Sequence, residues 1–290
     1  MKKLAFILFS LIWILPNATP VQADDADLFV SQVPPDALIL LDLSGSMNWD
    51  PEGNPAPVGG RRVDIAKNVL FDLLDDDDNG QVNTNDEKSL NNIRFGYMRF
   101  TGSTSTNNDS GVPDPMRGSN VLVAPIGSRY NDIWNGIKDA TASGGTPLAA
   151  ALAEAKVYFE QYVNPADNAI KCRKKYVILI TDGSDTWACS GNGLDDEVHN
   201  PGMYKRRMLT VQRAKELNEA GIKVFAVGFG GNFPDRLKRT LNWVARYGGL
   251  GQPPGPEQRG PRGLQCDKIC DAIYEPVLGR PGGSGGPCKL

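Results

Sequence analysis

The chain has 290 residues, a formal net charge of −3 and an apolar fraction of 40%. That length accommodates one large α/β domain with additions. The near-balanced charge excludes the strongly basic profile of a nucleic-acid-binding domain, so no nucleic-acid partner is expected.

The chain opens with Lys2 and Lys3, then an apolar run from Leu4 to Leu15, then Val21-Gln22-Ala23 before Asp24. A short basic segment, an apolar run too short for a comfortable membrane span and small residues at a cleavage point form a removable secretory signal over residues 1–23. Export is therefore expected, with no transmembrane segment in the mature chain. Continuous apolar runs at Ala37 to Leu41, Tyr176 to Ile180 and Val224 to Phe229 read as parallel strands buried on both faces. Ile93 to Phe100 is a further strand, and Val121 to Ala124 a short one at an edge. Val63, Ala66, Leu70 and Leu73 recur at helical spacing. Pro147 opens a second helix that runs through Leu148, Leu152 and Ala155 toward Phe159, at a position where its missing N–H costs nothing. Tyr204 to Ala220 is a third, ended by Gly221; Leu237 to Tyr247 is a fourth, ended by Gly248-Gly249. Strands alternating with helices predict a mostly parallel sheet with helices on both faces, here over residues 24–247. Residues 248–290 are rich in glycine and proline and read as a tail or linker, with a short helix near Cys266 to Tyr274.

The five cysteines are Cys172, Cys189, Cys266, Cys270 and Cys288. An exported chain meets an oxidising compartment, so disulfides are expected, and the odd count leaves one thiol over. Cys172–Cys189 is the favoured pair, because both flank one strand–loop unit.

Asp42-Leu43-Ser44-Gly45-Ser46 directly follows the first buried strand. In open α/β sheets ligands bind beyond the C-terminal strand ends. A carboxylate and two hydroxyls in one tight turn there offer hard oxygen donors suited to a cation such as Mg²⁺. Alone, such a cluster equally makes an Asx-turn, Thr146 equally caps a helix, and Asp182-Gly183 equally makes a turn. Their order is more informative: Asp42, Ser44 and Ser46 after one strand, Thr146 before a helix, Asp182 after another strand.

A second acidic segment runs from Asp75 to Asp86. Asp75, Asp77 and Asn79 occupy positions 1, 3 and 5 of an EF-hand-type calcium loop, with Gly80 at the sharp turn. Gln81 supplies a backbone carbonyl, Val82 the apolar anchor, and Asp86 the last position, where glutamate is usual. The segment also resembles dockerin-like loops. A solvated acidic loop is the alternative. A bound Ca²⁺ would pin the connection between the first helix and the Ile93 strand.

The three segments with Asp42, Thr146 and Asp182 resemble the metal-ion-dependent adhesion site of von Willebrand factor A domains, over roughly residues 36–247. The resemblance implies a Rossmann-like fold in which Ser44, Ser46 and Thr146 bind Mg²⁺ (or Ca²⁺ or Mn²⁺) directly. It implies that Asp42 and Asp182 act mainly through water, with one position left for an acidic group of a ligand. Leu38 to Met47, Asn91 to Phe100, Cys172 to Gly183 and Thr240 to Ala245 further resemble the N-terminal domain of the PilY family of type IV pilus tip adhesins and assembly factors. That implies a protein ligand, either pilus subunits or a host or surface receptor, and a periplasmic, cell-surface or secreted location. Such proteins usually continue into a C-terminal β-propeller, which this sequence does not show.

The expectation is an adhesion or protein-binding module and not an enzyme. A metal-assisted hydrolase and a purely structural, ion-stabilised domain are the alternatives. Trp49 and Trp187 could rim a binding face but more simply pack, and His199 reads as a loop residue. Arg61-Arg62 and Lys205-Arg206-Arg207 read as solvated helix faces.

Overall fold

The computed structural model describes residues 33–86, 93–102, 120–186, 201–231 and 233–251. All fall in the unit Val33–Leu290; the expected signal segment lies in the other unit, Met1–Gln32, outside the described residues. Five strands form one sheet in the order β3-β2-β1-β4-β5: β1 (Asp36–Asp42), β2 (Arg94–Phe100), β3 (Asn120–Ala124), β4 (Lys175–Thr181) and β5 (Ile222–Gly228). β1 pairs in parallel with β2 and β4, β4 in parallel with β5, and the edge strand β3 runs antiparallel to β2.

β1 lies at the centre of the sheet and is buried along its whole length. Its side chains alternate between two cores, as the strand period demands. Leu38 and Leu40 join Met98, Phe100, Val177 and Leu179 on one face. Ile39 and Leu41 join Phe95 and Tyr97 on the other. The first face is covered by helices α3 (Leu148–Tyr158), α4 (Pro201–Glu219) and α5 (Asp235–Ala245). The second is covered by α1 (Arg62–Leu74) and α2 (Tyr130–Lys138). Among the described residues no helix is long and apolar enough to cross a membrane.

The helices form where apolar spacing meets one sheet face. α1 buries Val63, Ala66, Leu70 and Leu74. Leu74, not Leu73, completes its inner stripe, and Leu73 stays 37% exposed. Burying Leu70 and Leu74 contributes about 1.5–3 kcal/mol each. α2 has no counterpart in the sequence reading. Its nine residues include Asn131, Asn135 and Gly136, weak helix formers, and it is held by Tyr130, Ile133 and Ile137 packing on the sheet. Pro147 stands just before α3 rather than inside its first turn. α4 ends before Gly221, whose φ is +79°. The expected helix near Cys266 and the tail beyond residue 251 lie outside the described residues.

Two charged segments are corrected. Arg61 and Arg62 do not make a solvated face. Arg61 pairs with Asp64 at the start of α1 (Nε to Oδ2 2.8 Å), and Arg62 is buried. Arg206 and Arg207 are buried within α4, and the side chain of Lys205 lies outside the description.

Candidate metal centre

β1 and β4 are parallel neighbours, so their C-terminal ends lie side by side, with Leu41 opposite Ile180. Asp42 and Thr181 are the last residues of the two strands. The Thr181 hydroxyl donates to Asp42 Oδ2 at 2.6 Å, and the Ser44 amide donates to Asp42 Oδ1 at 2.7 Å. The chain then turns through a short 3-10 segment, Gly45–Asn48. Ser44 Oγ lies 3.2 Å from Ser46 Oγ, and Ser46 Oγ donates to Asp182 Oδ1 at 2.8 Å. Thr146 reaches the same place from the loop before α3. A β-carbon built on Gly183 would stand 3.4 Å from the Thr146 hydroxyl and 3.9 Å from that of Ser46. The structure thus brings Asp42, Ser44, Ser46, Thr146 and Asp182 together from three separate segments of the chain.

The loops are tied to one another through their backbones. Gly45 N donates to Gly144 O at 2.8 Å, and Ser143 N donates to Leu43 O at 2.6 Å. Gly102, just beyond β2, forms an isolated bridge with Gly145. Gly144 adopts φ +77°, and a β-carbon there would fall 1.8 Å from Gly102 O. Only glycine meets both conditions.

Electrostatics sharpen the picture. Asp42 is fully buried, and burial followed by repulsion from Asp182 pushes its carboxyl up to about 7, against the pull of the Thr181 and Ser44 hydrogen bonds. Burial also raises Asp182, opposed by Arg62 and Ser46. Two desolvated carboxylates beside three hydroxyls are costly when charged and favour a cation. The all-oxygen donor set fits a hard divalent ion.

Three contributors escaped the sequence reading. Thr181 supports Asp42 as above. Arg62 Nη1 donates to Asp182 Oδ2 at 2.6 Å, while its Nε donates to Asp50 O at 2.8 Å. Asp185 accepts from Ala149 N at 2.7 Å, a carboxylate at the positive end of α3. Thr146 does not itself cap that helix; its amide donates to Thr186 Oγ1 at 2.7 Å. Only the Asp185 position carried a visible signal, as an acidic residue in the second strand-end loop. Trp49 is 47% exposed beside the site, whereas Trp187 and His199 lie outside the described residues.

The acidic segment after α1 folds back on itself. Asp75, Asp77 and Asp86 each place a carboxylate oxygen within 4.8 Å of the others. Gly80 N donates to Asp75 Oδ2 at 2.7 Å, Asn79 N to Asp77 Oδ1 at 3.3 Å, and Asp76 N to Asp86 Oδ1 at 3.0 Å. Gly80 has φ +80°, as the sharp turn requires. Val82 packs against the second core. The Asn79 side chain accepts from Gln81 N at 2.9 Å, and the Gln81 carbonyl accepts from Asn83 Nδ2 at 3.1 Å. Cys172 is exposed; its expected partner Cys189, with Cys266, Cys270 and Cys288, lies outside the described residues.

No protein-family model matches the chain. A Bacillus subtilis (strain 168) protein described as uncharacterized, YwmC, is 28% identical over 152 residues, which cover 52% of this chain and 55% of that protein. The chain thus spans about half the length of this relative. Among solved structures, manganese-loaded TRAP protein of Plasmodium vivax aligns at TM-score 0.44 and 16% identity, covering 78% of this chain and 66% of that one. The pilus adhesin SpaC of Lactobacillus rhamnosus GG aligns at TM-score 0.48 and 16% identity, covering 75% and 27%. The sheet order, the antiparallel edge strand and the three oxygen-bearing loops at the adjoining ends of β1 and β4 give this chain a von Willebrand A-like fold.

Proposed function

We propose that the chain is a metal-ion-dependent adhesion or protein-binding module, with a divalent cation, Mg²⁺ or Mn²⁺ or Ca²⁺, held by Asp42, Ser44, Ser46, Thr146 and Asp182. One observation carries this reading: three hydroxyls converge with two buried carboxylates at the adjoining ends of two parallel strands. When bound, the ion supplies a Lewis-acidic position for an acidic oxygen of a partner. The chain's own residues orient that position. Thr181 and the Ser44 amide fix the Asp42 carboxylate, and Ser46 and Arg62 fix that of Asp182.

The Asp75–Asp86 loop, through Asp75, Asp77, Asn79, Gln81 and Asp86, would take a Ca²⁺ that braces the end of α1. The four stretches similar to the PilY family support an exported pilus tip or assembly protein. Its partner would be a pilus subunit or a surface receptor, and its place the periplasm, the cell surface or the medium. We read the module as non-enzymatic, with Ser46, which donates to Asp182, and Asp182, which accepts from Arg62, assigned to holding the ion.

Calorimetric titration of the full chain with Mg²⁺ tests the site. Wild type should bind and Asp42→Ala should not, while both fold; equal binding by both would overturn the assignment. Adhesion and piliation that persist in EDTA and in Asp42→Ala would leave the ion a structural role only. Metal-dependent turnover of a phosphoester or peptide would instead support a hydrolase.

A further inference from the structure

Arg62 is an unexpected member of the centre. Its side chain is 10% exposed, and that of its partner Asp182 is fully buried. The guanidinium is held at both ends, by Asp182 Oδ2 at 2.6 Å and by the Asp50 carbonyl at 2.8 Å. The two oxygens of Asp182 therefore have different tasks: Oδ2 faces the arginine, and Oδ1 faces the Ser46 hydroxyl. Asp42 and Asp182 would together match the charge of a divalent ion. Arg62 returns one positive charge to that balance, inside a poorly solvated pocket where charges interact strongly. Asp185 does not restore the balance in full, since its carboxylate faces the positive start of α3.

We infer that Arg62 is a built-in counter-cation that lowers the site's affinity for the ion and leaves the bound ion under-neutralised, so that the loaded site selects an anionic group. This inference rests on the ion-binding reading above. It makes Arg62 a positioning and charge-setting residue and not an ion ligand. A purely structural ion pair makes the opposite prediction: losing Arg62 would loosen Asp182 and weaken the ion.

The test uses the full chain with Asp77→Ala added throughout, so that the acidic loop does not contribute. Mn²⁺ alone is titrated by calorimetry, and acetate binding to the Mn²⁺-loaded protein is followed by water proton relaxation. Arg62→Gln keeps a donor toward Asp182 but loses the charge. It should bind Mn²⁺ at least tenfold more tightly, the change that a unit charge several ångströms from a divalent ion implies even at a dielectric near that of water, about 80, and bind acetate at least threefold more weakly. Arg62→Lys keeps the charge and should match wild type in Mn²⁺ affinity within about twofold. Unchanged or weaker Mn²⁺ binding in Arg62→Gln overturns the inference, as does equal tightening in Arg62→Lys. Should the glutamine variant fail to melt cooperatively, Arg62→Met, which keeps the apolar stem and loses the charge, is read in its place: tighter Mn²⁺ binding supports the inference, and unchanged or weaker binding overturns it. Absence of Mn²⁺ binding to the chain with native Arg62 would remove the ion site itself, a different failure from either of these.

Discussion

The Thr181 hydroxyl and the Asp42 carboxylate meet at 2.6 Å between the last residues of two adjacent parallel strands, both fully buried. Thr181→Val is nearly isosteric and suits a strand, but it removes the hydroxyl that donates to Asp42 Oδ2. It should cost about 1–2 kcal/mol of stability, typical of a lost buried hydrogen bond, and weaken Mg²⁺ binding. Thermal melting and calorimetry read the two effects; wild-type values in both would show the bond to be incidental.

The raised Asp42 carboxyl makes stability depend on pH in a stated direction. Its folded value of about 7 exceeds the ordinary 3.8, so the folded state holds the proton more tightly than the unfolded chain. The stability tied to that proton is complete below about pH 4 and is lost as pH rises through 7. Asp182 and Asp36, also raised, act in the same direction. Without divalent ions, melting temperature should therefore fall between pH 4 and 8 from these groups. Added Mg²⁺ should restore it increasingly toward pH 8, since ion and proton compete. Melting curves in EDTA and in Mg²⁺ across that range check this, and a gain of stability with rising pH in EDTA would contradict it.

Gly144→Ala should damage the site without touching a donor. The new β-carbon would meet Gly102 O at a distance no relaxation of a side chain can relieve, at φ +77°. A loss of about 2–4 kcal/mol is expected from strain and displacement together. Urea denaturation measures it, and wild-type stability would mean that the loop shifts freely.

The acidic loop should behave as a separate, weaker site. Asp77→Ala should remove a Ca²⁺ step in the range of about 10⁻⁴–10⁻³ M usual for extracellular loops and leave Mg²⁺ binding intact. Asp42→Ala should do the reverse. A single calorimetric step in wild type, lost in neither variant, would contradict both assignments.

Much of the fold was legible because its central strands are largely buried on both faces, whereas β5, expected to be buried in the same way, leaves Phe225 and Val227 41% exposed on one face. Ala37 to Leu41 and Tyr176 to Ile180 are continuous apolar runs, and they became β1 and β4 with one residue added at each end. The ligand set was legible because each donor stands at the end of such a strand or before a helix. What could not be read locally depends on distant partners. Arg62 looks like any arginine at a helix start until Asp182, 120 positions later, is placed beside it. Arg206 and Arg207 likewise look solvated until α4 is set against the sheet. α2 was invisible because its sequence is a poor helix former, and only packing of Tyr130, Ile133 and Ile137 holds it in place.

The backbone ties between Gly45 and Gly144, Leu43 and Ser143, and Gly102 and Gly145 have an evolutionary consequence. The frame that positions the donors is built from peptide groups and the glycine-dependent turn at Gly144, so it is largely indifferent to which side chains stand on it. Ser44, Ser46 or Thr146 can be exchanged for other oxygen or nitrogen donors with the loops still in place. Ion preference is then free to drift one substitution at a time while the scaffold that presents it is inherited unchanged.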